Sequence, residues 1–497
     1  MFKELTDKLA YPRMEEEILA FWKERGIFGK SVSQREGGPH FTFYEGPPTA
    51  NGRPGIHHVM SRTVKDLVCR YKTMRGYRVA RKAGWDTHGL PVEIEVEKQL
   101  GFKHKEDIVR YGVAEFNRTC RESVWKYKTD WEKMTERMGY WVDMTRPYVT
   151  FENEYIESVW WSLKCFFDAG LIYKGHKIQP YCPRCETPLS SHEVSLGYDD
   201  VKDPSVYVRM RLTSEPGTSF LVWTTTPWTL ISNVALAVAP DVEYVTVEAN
   251  GERLILAEAR LSVLDGEYAI VDRRRGKDLV GLEYERLFSY HPVDARAFYV
   301  VAGDFVTTED GTGIVHMAPA YGEDDARVGR EMGLPTIHPV SKSGTFGPEV
   351  TEFAGKFVKD ADADIIRVLK ERRILYRKET ITHSYPHCWR CSTPLLYYAR
   401  DSWYIETTKY AHRMMELNRQ IRWVPPEVGE GRFGNWLEEN KDWALSRDRF
   451  WGTPLPIWVC GSCGTRNGQS SSRPRNWSTC RSRASITSIR SRLWCTR

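Results

Sequence analysis

The sequence predicts an α/β protein, a parallel-sheet domain split by an inserted, mainly β domain. Three observations predict it. Strand, glycine-rich turn, helix and strand patterns follow one another between Phe41 and Lys98. Short β-branched and aromatic runs, broken by Gly, Pro and Asp, fill the stretch from about Val194 to Thr382. Two matching Cys-x-x-Cys knuckles, Cys182/Cys185 and Cys388/Cys391, flank that stretch, as they would if a whole domain had entered one clip.

In chain order, EEEILAFWKERGIF sets Ile18, Leu19, Phe21 and Trp22 among charges and predicts an amphipathic helix closed by Gly26. Phe41–Tyr44 is aromatic, is bounded by turn formers and predicts a short buried strand. Gly46, Pro47, Pro48, Asn51, Gly52 and Pro54 make the turn. Met60, Val64, Leu67, Val68 and Tyr71 then recur at helical spacing up to a stop at Gly76. Tyr77–Ala80 predicts a second strand, leading into GWDTHGLPVEIEVEK. Such a βαβ unit crosses over right-handed into a parallel sheet, and ligands collect at the carboxyl ends of its strands. His57, His58, Asp86 and His88 fall there. On pattern alone the two histidines read equally well as helix-capping or surface residues, and Asp86 as a turn aspartate. From Lys105 to Leu171 the pattern is helical, with aromatic residues such as Phe116, Trp131 and Trp160 predicted to pack between helices.

YCPRC and HCWRC are each followed, one residue on, by Thr-Pro-Leu. They read as two halves of a pseudo-symmetric zinc ribbon with Cys182, Cys185, Cys388 and Cys391 as tetrahedral ligands, two reduced surface knuckles being the alternative. Cys460 and Cys463 begin a third knuckle, a possible incomplete second site. In the insert, WTTTPWTLISNVAL carries Thr224, Thr225, Thr226, Thr229 and Asn233, and GTGIVHMAPAYGEDDARVG carries His316 and Asp325. Taken alone, the threonines read as strand chemistry and His316 as a satisfied core histidine. Cys69, Cys120 and Cys165 read as core residues.

A chain of 497 residues with 41% hydrophobic content has room for several domains and a large core. The eleven cysteines are not a disulfide framework in so long a chain. No apolar run is long enough to span a bilayer and the start lacks an apolar signal segment, so no membrane role and a cytoplasmic location are expected. The net charge of +5 hides an asymmetry: the seven arginines from Asn467 onward, with no acidic residue among them, leave −2 for the remainder. Any nucleic-acid surface is therefore a local patch.

FYEGPPTANG, the histidine-containing turn, KDLVCRYKTMRGY and GWDTHGLPVEIEVEK resemble the isoleucyl-tRNA synthetases, which are class I aminoacyl-tRNA synthetases. The Trp-Asp-Thr-His-Gly-Leu-Pro-Val-Glu string favours the isoleucine enzymes over their valine and leucine relatives, and DWALSRDRFWGTPLP is similar to the family's return segment into the catalytic fold. The resemblance covers about Met1 to Gly464 and implies a Rossmann-type catalytic domain split by an editing domain. The boundaries are 1–193 for the first catalytic half with its zinc knuckle, 194–382 for the editing insert, 383–466 for the return with the second half of the clip, and 467–497 for an aberrant, disordered tail. It implies activation of isoleucine with ATP and Mg2+, transfer to tRNA(Ile), and a monomer. Gly55, His57 and His58 would contact ATP; Gly46, Pro47 and Asp86 would bind the amino acid. Thr224, Thr225, Thr226, Asn233, His316 and Asp325 would hydrolyse mischarged valyl-tRNA, with Asp325 holding the substrate ammonium.

Editing is needed because one methylene is worth only about 1–3 kcal/mol of discrimination; isoleucine against valine is the standard example of this limit, and the figure is taken over from it. One departure stands out. The family signature is His-x-Gly-His, and here the aligned residues are Gly55, Ile56, His57 and His58. Either the turn is rearranged so that His57 serves, or the ATP contacts are altered. The family's second ATP motif, of the Lys-Met-Ser-Lys-Ser type, does not occur in the sequence, so the alternative expectation is a truncated tRNA-binding and editing fragment without amino acid activation.

Overall fold

The computed structural model describes residues 10–49, 52–102 and 104–457. Cys460, Cys463 and the tail from Asn467 lie outside the described residues. The chain divides into two compact units; among the described residues the first takes 10–169 with 449–457 and the second 170–448.

The first unit runs α1 (Tyr11–Arg25), α2 (Ile27–Ser33), α3 (Ile56–Met74), β1 (Lys82–Trp85), α4 (Leu90–Leu100), α5 (Lys105–Tyr111), α6 (Val113–Ser123), α7 (Lys128–Arg137), β2 (Asp143–Val149) and α8 (Asn153–Asp168). Gly26 ends α1 in the left-handed conformation at φ 57°, as its position predicts. β1 and β2 pair in parallel, with Gly84 opposite Tyr148. A Cβ at Gly84 would stand 2.2 Å from the Tyr148 ring, so only glycine lets these strands meet. Phe41–Tyr44 is not a strand. The segment touches the next through two isolated parallel bridges, His40↔Arg78 and Thr49↔Asp86. The bridged residues are nine apart on one side and eight on the other, so one extra residue breaks the ladder, and Pro47 and Pro48 have no N–H to restore it. The second strand likewise lies at 82–85, beyond the expected Tyr77–Ala80. The predicted helical run from Lys105 is interrupted by β2, whose register to β1 outweighs local pattern.

The α3 helix has the predicted period but an inverted face. It buries Arg62, Asp66, Cys69 and Thr73 and exposes Ile56, Met60, Val64, Leu67, Tyr71 and Met74. The buried face is paired: Asp66 accepts from Arg70 Nε (2.6 Å), from Arg81 Nη1 (3.5 Å) and from the Trp141 N–H (3.3 Å). The Arg70 guanidinium lies 3.9 Å from the centroid of the Trp141 ring. Phe116 and Trp131 are buried as expected, but α8 buries none of its residues and Cys165 on it is exposed.

The second unit holds a nine-stranded mixed sheet and a four-stranded antiparallel one. The large sheet uses β5 (Tyr198–Arg211), β6 (Thr218–Thr224), β7 (Ala235–Val238), β8 (Glu243–Ala249), β9 (Glu252–Ala257), β10 (Tyr268–Arg275), β11 (Tyr299–Ala302), β12 (Ile314–Met317) and β13 (Leu375–Pro386). Its path is β10-β8-β9-β6-β12-β7-β11, and β5 pairs with both β6 and β13. Inside lies a buried cluster that includes Met210, Phe220, Val222, Leu230, Val300 and Phe353. The small sheet joins β3 (Ile172–Cys182), β4 (Thr187–Pro188), β14 (Leu396–Ile405) and β15 (Trp443–Ala444), with β14 lying along β3 from Leu396↔Tyr181 to Ile405↔Ile172. The chain after the second knuckle therefore first builds this antiparallel sheet, and among the described residues only 449–457 rejoin the first unit.

Candidate functional site

In the first unit the turn ahead of α3 meets the end of β1. The Asp86 N–H donates to the Pro48 carbonyl (3.0 Å), and Thr49 Oγ1 stands 3.5 Å from Asp86 Oδ2. Burial raises the Asp86 pKa, while the His88 N–H and the Thr49 hydroxyl pull the other way. A half-buried carboxylate this thinly paired suits an incoming cation. Pro47 is half-buried beside it and Gly46 is exposed. Glu45 anchors the turn: its carboxylate pairs with Lys65 Nζ (2.7 Å) and takes the Tyr140 hydroxyl, and its carbonyl accepts from Tyr148 OH (3.0 Å).

Gly55 caps α3, and its N–H donates to His58 Nδ1 (2.9 Å). That bond fixes the tautomer, so His58 presents Nε2–H as a donor beside the positive end of the helix. Burial, with His57 and Arg62 nearby, lowers its pKa and keeps the ring neutral. The His57 and His58 rings are 3.8 Å apart, and His58 meets Trp131 edge-on at 4.6 Å. Trp131 Nε1 donates to the Gly52 carbonyl (2.8 Å), so Trp131 seats the whole turn. A Cβ on Gly55 would meet His57 Cε1 at 2.9 Å. The His57 ring thus fills the slot that a side chain at 55 would enter.

The return segment closes on the same region. The N–H groups of Phe450 and Trp451 both donate to Glu93 Oε1 (2.7 Å each), and Trp451 Nε1 donates to the Thr87 carbonyl (2.6 Å). Lys105 Nζ bridges Glu93 Oε2 (2.7 Å) and Glu97 Oε1 (2.6 Å), and all three side chains are buried. Its carboxylate partners raise the Lys105 pKa against burial, the largest single influence, which lowers it. His88, set against Trp451 and Thr453, is driven down to about 4 by burial and by Arg121. Ser446 lies in the second unit, where its hydroxyl accepts from the Trp403 N–H (2.9 Å). Sequence reading missed Glu45, Glu93, Glu97, Lys105 and Trp131. Glu93 and Glu97 sit one turn apart on α4, a spacing that could have suggested a shared cation.

In the second unit β6 delivers the threonine run into a 3-10 turn, Pro227–Ser232. The hydroxyls of Thr224 and Thr226 are 3.3 Å apart, and those of Thr226 and Thr229 are 3.2 Å apart. Thr229 Oγ1 donates to the Thr226 carbonyl (2.8 Å) and lies 2.9 Å from His316 Nε2. His316 Nε2 therefore carries the proton, and Nδ1 is a buried acceptor without a partner among the described residues. Burial pushes this histidine down to about 4, so it stays neutral. Asp325 Oδ2 accepts the Ala318 N–H (2.7 Å), two residues beyond His316, and burial lifts its pKa to about 6. Thr225 is half-buried. Asn233 faces inward: Tyr284 OH donates to its Oδ1 (2.7 Å), and its Nδ2 donates to the Ala235 carbonyl (3.0 Å). Thr229, which the sequence reading left without a role, is the residue that touches His316.

The two knuckles converge. The thiols of Cys182, Cys185, Cys388 and Cys391 all lie within 4.8 Å of one another, and Cys391 Sγ is 3.5 Å from both Cys182 and Cys185. Sulfurs around a tetrahedral zinc are about 3.8 Å apart at its usual bond length, so this donor set fits one metal ion. The halves repeat in backbone as well: Glu186 and Ser392, each directly after the second cysteine, both adopt positive φ, at 49° and 57°. Arg390 pairs with Glu193 (2.6 Å) beside the cluster.

Residues 17–480 match the family of tRNA synthetases class I (I, L, M and V), and the chain belongs to that family. It is 54% identical over 467 residues to an isoleucine--tRNA ligase of Clostridium acetobutylicum, covering 94% of this chain and 45% of that one. The corresponding protein of Thermus thermophilus is 53% identical over 471 residues (93% and 45%), and that of Streptomyces avermitilis 51% over 464 (92% and 44%). The chain thus spans somewhat under half the length of these curated relatives. Among the described residues no helix is long and apolar enough to cross a membrane.

Proposed function

We propose that the chain carries the catalytic and editing parts of an isoleucine-tRNA ligase, working on isoleucine, ATP with Mg2+ and tRNA(Ile) as a cytoplasmic monomer. The observation that carries this reading is the 54% identity to an isoleucine--tRNA ligase across 94% of the chain. In this reading Asp86 holds the isoleucine ammonium, Gly46 and Pro47 border the side chain, and Gly55, His57 and His58 meet ATP. The half-buried, thinly paired Asp86 carboxylate supports the first role, and the Nε2–H of His58 at a helix N-terminus supports an anion contact. Adenylate formation needs positioning and charge stabilisation and no covalent enzyme intermediate.

The second unit would hydrolyse valyl-tRNA. The neutral His316 offers its free Nδ1 lone pair to a water, Thr224, Thr225 and Thr226 offer hydroxyls to the ester, and Asp325 takes the ammonium; Asn233 shapes the pocket from behind. Cys182, Cys185, Cys388 and Cys391 would hold zinc, a structural ion that pins β3 to the knuckle after β13. The domains would follow the 1–193, 194–382 and 383–466 division. Isoleucine-dependent exchange of pyrophosphate into ATP tests activation, and release of valine from valyl-tRNA(Ile) tests editing. Valine release without exchange would reduce the chain to an editing fragment, and absence of both would sink the reading.

A further inference from the structure

We propose that Asp362 is the positioning residue of the threonine-rich turn: its carboxylate caps that turn from outside and sets where Thr229 meets His316. This rests on the reading of the turn as a hydrolytic site. The turn Pro227–Ser232 opens with a proline, so its first N–H belongs to Trp228. A threonine just before a helical turn usually accepts such an orphan N–H with its own hydroxyl. Thr226 stands in that place and makes no such bond, because its hydroxyl is spent on Thr224 and Thr229. Trp228 is 4% exposed, so water cannot replace the missing acceptor. Asp362 Oδ1 supplies it at 2.8 Å, from 134 residues further along the chain.

Asp362 is itself 5% exposed and begins the helix Asp362–Glu371. Its neighbours free it for this one bond. Lys359, the nearest cation, is committed to Asp203 (2.8 Å), which also bonds His383 (3.1 Å). Burial, with Asp203 and Asp360 adding to it, lifts the Asp362 carboxyl to about 7, against the Trp228 N–H and Lys359. The turn needs the oxygen at that point and not its charge. The Thr226 hydroxyl is thereby left to its chain of threonine partners, and the cap it would have provided comes from elsewhere.

The test uses the whole chain and valyl-tRNA(Ile), with kcat and KM of deacylation read separately. Asp362→Asn keeps an acceptor in place and should stay within about threefold of wild type, whereas Asp362→Ala and Asp362→Glu, which remove or displace it, should each lose about 10- to 100-fold in kcat with KM nearly unchanged. Amide exchange at Trp228 should quicken in the Ala variant and not in the Asn variant. If Asp362→Ala does not fold, the contrast between Asn and Glu decides. A Glu variant as active as wild type overturns the proposal, as does an Asn variant as poor as Ala, or a folded Ala variant that keeps its rate while His316→Ala loses it. A wild-type chain that releases no valine overturns the hydrolytic reading first, and the positioning role falls with it.

Discussion

Both units bury apolar clusters, but they differ in how much charge they take inside. The first buries charge: Arg62, Asp66, Arg81, Glu93, Glu97 and Lys105 are all inside it, each with a partner. The second buries hydrocarbon, in a cluster that runs from Tyr181 to Tyr398 and in two smaller ones. Buried ion pairs add little net stability, since desolvation offsets their attraction, but breaking one is costly. Apolar area stabilises in proportion to its extent. The contrast teaches where each unit is vulnerable: the first to loss of a single partner, the second to loss of volume or of its cysteine clip.

The largest effect should come from that clip. Replacing Cys182 and Cys388 with Ser, or stripping metal with a strong chelator, should abolish stoichiometric zinc and forfeit on the order of 10 kcal/mol of metal-coupled folding. Metal analysis and amide exchange across 172–188 and 396–405 check this, and an unaltered exchange pattern would show that thiols alone hold the sheet. Next, Glu93→Ala should destabilise the first unit by about 3–5 kcal/mol, because it leaves Lys105 with Glu97 alone and orphans two buried backbone N–H groups. Denaturant unfolding measures it, and a loss below 1 kcal/mol would erase the contrast between the units.

Acid offers a third test. Folding holds His316 near 4, while an unfolded histidine titrates near 6.5. Between those values the unfolded chain binds more protons, so stability falls as pH drops through that window, by on the order of 3 kcal/mol in all. His316→Gln should flatten this part of the curve. Asp362 and Asp325, raised to about 7 and about 6, slope the other way: they favour the folded state at low pH and cost stability as pH rises from the ordinary carboxylate range. A melting profile of the Gln variant identical to wild type between pH 4 and 6.5 would show that His316 is solvated. The smallest effect belongs to α3. Leu67→Lys should change stability by less than about 0.5 kcal/mol, since the side chain is already exposed, yet lower light scattering at high concentration. A large loss of stability would mean that this face is covered.

Much of this was legible in the residues. Paired knuckles with Thr-Pro after each predicted the cysteine cluster, and that signal survives a long insertion because metal geometry depends on residue type and spacing. The α3 period was legible but its orientation was not, since periodicity reports a stripe and not what the stripe faces. The absence of the expected strand at Phe41–Tyr44 and the unforeseen β2 were decided by register with distant segments, which local pattern does not carry. Among the candidate-site residues, motif strings pointed to Asp86, His58 and His316. Glu93 and Asp362 were invisible because each acts on a backbone N–H more than a hundred residues away, and any sequence can supply that N–H. Asn233 was expected beside the mischarged ester, and in the structure its side chain is held by Tyr284 OH and the Ala235 carbonyl.

The closeness of Gly55 to the His57 ring carries a consequence for how such turns change over time. The His57 ring, exposed at the head of α3, lies where a side chain at 55 would point. A side chain at 55 would make the His57 ring swing off its neighbour His58, and with it would go the contact that now covers one face of His58. The two positions are thus coupled through one ring, and a change at either is felt at His58.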